Sequence, residues 1–144
     1  MQVLAILFGS LLLYRGLGAA GASLFASWIA SARFALATMF VFTAVAHFAP
    51  MKRDLIAMVP PSLPRPDLFV FATGVLELAG AAGLLFEPTR FWAACGLMLL
   101  MAAMLPANVS AARRKIELRG RRVTPLWIRV PMQVLFVAWA WFVR

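Results

Sequence analysis

An all-α bundle of membrane-spanning helices is the fold this sequence predicts, and three observations carry it. Hydrophobic residues make up 64% of the 144 residues and the mean hydropathy is +0.90, whereas an ordinary soluble domain is roughly half apolar. The apolar residues gather into five stretches, most of them near the roughly 20 residues a helix needs to cross a bilayer. His47, Glu77 and Arg129 each interrupt a different stretch. A charge in hydrocarbon costs about 3 kcal/mol or more, so such groups face one another or a cavity.

The stretches cover residues 2–17, 24–48, 68–86, 91–107 and 126–143, within a single membrane domain spanning 1–144. The first is the shortest, because Tyr14 and Arg15 close its apolar run after Leu13. Snorkelling of Arg15 to a headgroup lets it span. It is expected to be a retained helix rather than a secretory signal, since no Lys or Arg precedes Val3. After the second stretch, charges cluster at Lys52, Arg53 and Asp54 ahead of apolar residues, which predicts a short interfacial helix over 51–58. Residues 59–66 hold four prolines, and their missing donors and fixed φ predict an extended strap lying across one face of the bundle.

Orientation follows from the loops. Arg113, Arg114, Lys115, Arg119, Arg121 and Arg122 lie between the fourth and fifth stretches, opposed chiefly by Glu117. Short basic loops remain cytoplasmic, so the 111–124 loop is expected on the inner side of a bacterial inner membrane, together with Lys52, Arg53 and Arg65. The 87–90 loop, nearly neutral, is expected outside. The formal charge of +9 therefore reads as a topology signal, with anionic lipid as a second reading of the basic loop, and nucleic acid is not an expected partner.

The polar residues of the helices fall into i, i+4 pairs: Thr43 with His47, Thr73 with Glu77, and Arg129 with Gln133. Each pair shares one helix face. Counting about 1.5 Å per residue from the basic end puts His47, Thr73, Asn108 and Arg129 at a shallow level and Thr43, Glu77 and Gln133 nearer the midplane. The ligand-binding set is therefore His47, Glu77, Asn108, Arg129 and Gln133, supported by Thr43 and Thr73. Small residues beside Glu77, among them Gly74, Gly80 and Ala81, predict that it faces protein. Its expected partner is Arg129, whose guanidinium reaches down its own helix. Pro131 predicts a kink in the last helix and a free carbonyl at Trp127.

The strings HFAP from His47, MVPPSLPRP from Met58, TGVLELAGAAGLL from Thr73, LPANV from Leu105 and LWIRVPMQVLFVAW from Leu126, taken in this order and spacing, resemble the DoxX family of small bacterial membrane proteins. The resemblance covers about three quarters of the chain and implies a four-helix core, which leaves the first stretch as an extra N-terminal helix. It also implies a link to membrane redox complexes. His47, Glu77, Asn108, Arg129 and Gln133 match recurring positions of that family, with no catalytic role attached to any of them.

Several chemistries are excluded by residue supply. Cys95 is the only cysteine and His47 the only histidine, so an internal disulfide cycle, a bis-His haem and a Cys/His metal site are out of reach. Neither a metal nor a covalently held cofactor is expected. Three readings stay open. The first is a quinone- or lipid-binding accessory subunit of a membrane redox system, in which the polar set approaches the two quinone carbonyls and relays a proton. The second is a non-enzymatic assembly factor or scaffold whose polar cluster locks the helices. The third is a small transporter or proton pathway, disfavoured because no paired broken helices are seen. Expected partners are membrane lipids and a redox-complex subunit, with self-association left open.

Overall fold

The computed structural model describes residues 2–118, 121–122 and 124–144. Along them run α1 (Gln2–Ala19), α2 (Trp28–Phe48), α3 (Lys52–Met58), α4 (Pro66–Leu85), α5 (Arg90–Arg113) and α6 (Leu126–Val143). All but the short α3 are long and apolar enough to cross a membrane. Large apolar side chains such as Leu12, Phe42, Leu76, Leu99, Trp127 and Val134 point outward and stay exposed. A soluble surface rarely carries so continuous an apolar cover, so hydrocarbon is the solvent it suits. The chain is an all-α membrane bundle.

The helices close a ring. α2 packs on α4, α4 on α5, α5 on α6 and α6 back on α2, which makes α4 and α6 diagonal, and among the described residues the backbones of those two do not come close. α1 lies outside the ring against α2. It is seated there by fully buried Leu7, a 2.8 Å hydrogen bond between the Tyr14 and Thr38 hydroxyls, and an edge-on contact of Phe8 with Trp139 of α6. The extra N-terminal helix is therefore an addition to a four-helix core.

Several boundaries depart from the hydropathy reading. α2 starts at Trp28 instead of residue 24, because Ser23–Phe25 form a 3₁₀ turn and the Ser27 hydroxyl caps the helix by accepting from the Ala30 N–H at 3.0 Å. Arg15 holds that turn through the Phe25 and Ala26 carbonyls, so its charge is used in the protein. α4 starts at Pro66, since proline at the first helical position gives up a donor the helix does not use. α5 runs six residues beyond the expected end at 107, passing through Pro106 to Arg113; the apolar run stops there, but the helical backbone does not. The 111–124 loop holds a two-residue antiparallel pair, Glu117–Leu118 with Arg121–Arg122, which hydropathy could not foresee; Arg119 lies outside the described residues. α3 is present, and its last turn and the first residue of the strap are pinned to the end of α5, where Arg114 Nη2 donates to the Ala57 and Val59 carbonyls at 2.6 and 2.8 Å.

Two glycines of α4 set how closely its neighbours approach. A Cβ at Gly74 would stand 2.6 Å from the His47 Cβ of α2, and one at Gly80 would stand 2.5 Å from the buried Leu97 side chain of α5. Such close seating gives membrane helices the dispersion contact that replaces a hydrophobic driving force. Gly74→Ala is expected to lower stability by about 1–3 kcal/mol, read as the unfolding free energy in mixed micelles. Gly96→Ala, with open space around its Cβ position, should be neutral or slightly stabilising.

Candidate functional site

The polar residues divide between two opposite seams of the ring. On the α2/α4 seam, Thr43 and Glu77 meet at one level and His47 and Thr73 at the next. Thr43 Oγ1 donates to Glu77 Oε2 at 2.8 Å. His47 Nδ1 lies 2.7 Å from the Val70 carbonyl and 3.1 Å from Thr73 Oγ1. A carbonyl can only accept, so Nδ1 carries the hydrogen and Nε2 is left facing Glu77. Nε2 stands 3.7 Å from Glu77 Oε1, within ion-pair distance and beyond hydrogen-bond length. The Thr73 hydroxyl turns back to the Phe69 and Val70 carbonyls at 2.9 and 3.0 Å. His47 and Glu77 are 5% and 3% exposed, so the pair is sealed from both lipid and water.

On the α5/α6 seam, Arg129 Nη1 donates to Asn108 Oδ1 at 2.6 Å, and Gln133 Nε2 donates to the Met101 carbonyl at 2.6 Å. The two levels counted from the sequence are therefore present on both seams. What the sequence did not reveal is their separation. The expected Glu77 to Arg129 partnership is absent: Glu77 is held by Thr43 and His47 and Arg129 by Asn108. The reason is the ring order, which sets their helices on a diagonal. Helical facing can be read from spacing along the chain, whereas adjacency around a ring cannot.

Two surface grooves formed by described residues are one of about 600 Å³ between the strap and α5 and one of about 380 Å³ between α1, α2 and α6. Neither is walled by His47, Glu77, Asn108, Arg129 or Gln133. Among the described residues no buried side-chain polar atom lacks a partner.

Polar anchors that the sequence reading passed over sit at the other end of the bundle. Arg33 Nε donates to the Val143 carbonyl at 3.0 Å, satisfying an acceptor at the open end of α6. Trp139 Nε1 donates to the Ala32 carbonyl at 3.0 Å. Both tie α2 to α6. Arg33 itself, a cation early in an apolar stretch, was the available signal for the first.

A double-mutant cycle separates the seams. His47→Gln and Glu77→Gln should show a coupling of about 0.5–3 kcal/mol in unfolding free energy, as expected of groups in one network. Glu77→Gln and Arg129→Gln should add to within about 0.5 kcal/mol.

Comparison with known proteins matches residues 36–144 to the family described as "Domain of unknown function (DUF8561)". Searches of curated proteins and of solved structures found no match. The matched residues contain most of α2 and all of α3, α4, α5 and α6, which is the ring and its strap, and leave out α1. The chain belongs to the DUF8561 family.

Proposed function

We propose that this protein is a non-enzymatic accessory subunit of a bacterial inner-membrane assembly, with its basic end in the cytoplasm, and that its membrane-embedded polar residues lock helices together. The observation that carries this reading is that every residue of the expected binding set is already engaged with a neighbouring helix, and none of them lines either of the two grooves described above. In this set each residue makes at least one polar contact to a neighbouring helix, as groups that hold a bundle together do. Interhelical hydrogen bonds in membranes contribute modestly, about 0.6 kcal/mol on average, and their larger effect is to fix register, since a wrong pairing strands a buried charge. The redox setting rests on the DoxX resemblance of residues that fall almost wholly within 36–144. The orientation rests on Lys52, Arg53, Arg65, Arg113, Arg114 and Lys115 gathering at one end.

A second reading, a quinone-binding subunit, is favoured by one specific feature. The gap of 3.7 Å between His47 Nε2 and Glu77 Oε1 joins an acid and a base able to share a proton, as reduction of a quinone carbonyl requires. Lipid discs cut directly from the native membrane discriminate the two. Under the accessory reading, quinone per protein equals its proportion in bulk lipid, and one partner subunit is held at constant stoichiometry by the wild type and by Glu77→Gln but is lost from Gly74→Leu, which breaks the α2/α4 seam. Stoichiometric quinone that disappears in Glu77→Gln would replace this reading with the second.

A further inference from the structure

The groove between the strap and α5 has an amphipathic build that neither reading uses. Along α5, Ala102, Leu105, Val109 and Arg113 fall on one face, and Pro60 of the strap forms the facing wall. The stripe from Ala102 to Arg113 is about 16 Å long at 1.5 Å per residue, apolar over most of its length and cationic at the end where the helix leaves the apolar zone. Its volume is about 600 Å³.

The polar end is unusual in what remains free. Arg114 is fixed in place by the Ala57 and Val59 carbonyls, and its Nε donates to Ser110 Oγ at 3.0 Å. These partners are dipoles, so its charge is not cancelled. Ser110 accepts that bond, and among the described residues its own hydroxyl hydrogen has no acceptor. Arg113 is exposed and among the described residues has no hydrogen-bond partner and no carboxylate beside it. Among the described residues no acidic side chain lines the groove. A guanidinium, a hydroxyl donor and a second fixed cation at the mouth of an apolar trough complement an anionic oxygen cluster attached to a hydrocarbon chain.

We propose that this groove is a site for one anionic phospholipid of the basic-side leaflet, its phosphate on Arg113 and Ser110 and one acyl chain along Ala102, Leu105 and Val109. The strap forms the second wall, so Arg114 acts as a positioning residue: by tying Ala57 and Val59 to α5 it keeps the trough in shape. The site is independent of the His47 and Glu77 seam and of either functional reading.

Native mass spectrometry of the full chain in detergent, titrated with phosphatidylglycerol or with phosphatidylethanolamine, tests it. The expected result is one saturable phosphatidylglycerol adduct, bound more tightly than phosphatidylethanolamine. Arg113→Gln should weaken it about tenfold, the worth of one charge-assisted contact, and Ala102→Phe, which fills the trough from an exposed position, should abolish it. Arg53→Gln, at the same end but outside the groove, should leave it unchanged. Equal losses in Arg113→Gln and Arg53→Gln would overturn the site in favour of a diffuse basic surface. Equal binding of the two lipids would overturn it as well. A dimer that Ala102→Phe dissociates, without any lipid adduct, would assign the groove to a second copy of the chain.

Discussion

The close approach of α2 and α4 at Gly74 is the constraint on which the rest of this bundle depends. Because position 74 has no side chain, the His47 Cβ and ring can lie directly on α4, and at that distance Nδ1 reaches the Val70 carbonyl and Thr43 reaches Glu77. The carboxyl then has two partners in a place where an unpaired charge would cost several kcal/mol. Packing and polarity are coupled here: a wider seam would lose dispersion contact and strand an acid in hydrocarbon at once.

The other seams use the same means in different proportions. Between α4 and α5 the mid-helix contact is one of shape, with Gly80 receiving Leu97, and a polar contact sits at the end of the seam, where Arg90 Nε donates to the Leu84 carbonyl at 3.4 Å. Between α5 and α6 two rungs, Arg129 to Asn108 and Gln133 to Met101, carry the polar content. Between α6 and α2 the bonds move to the opposite end, through Arg33 and Trp139. Each seam thus has its own signature, which selects this cyclic order over others that would bury the same apolar area.

Much of the fold is legible in the sequence because a bilayer leaves so few solutions. Five apolar runs must be helices, since every backbone polar group has to be satisfied within its own segment, and the short helix before the proline strap follows from local chemistry alone; the strap itself, expected to be extended, folds into a turn in which the Leu63 N–H donates to the Pro60 carbonyl at 3.0 Å. The i, i+4 spacing of Thr43 with His47 and of Arg129 with Gln133 gives each residue's face and its depth. The cyclic order is the missing quantity. Without it, the strongest acid and base in the set, Glu77 and Arg129, look like natural partners, although their helices are diagonal. Hydropathy also ends α5 too soon, because Asn108, Ser110 and Arg113 stop the apolar run without stopping the helix, and that extra length builds the wall of the groove beside the strap.

His47 is the only histidine in the chain, so selective ¹⁵N-histidine labelling places a single reporter at the centre of the α2/α4 seam. The account is tested most directly by the ring-nitrogen spectrum of the protein in lipid. It predicts a hydrogen-bearing Nδ1, as the Val70 carbonyl requires, and an Nε2 resonance that moves in Glu77→Gln while staying fixed in Arg129→Gln and on addition of quinone. A bare Nδ1, or an Nε2 that responds to Arg129→Gln or to quinone as strongly as to Glu77→Gln, would contradict a closed seam in which Glu77 is the partner of His47.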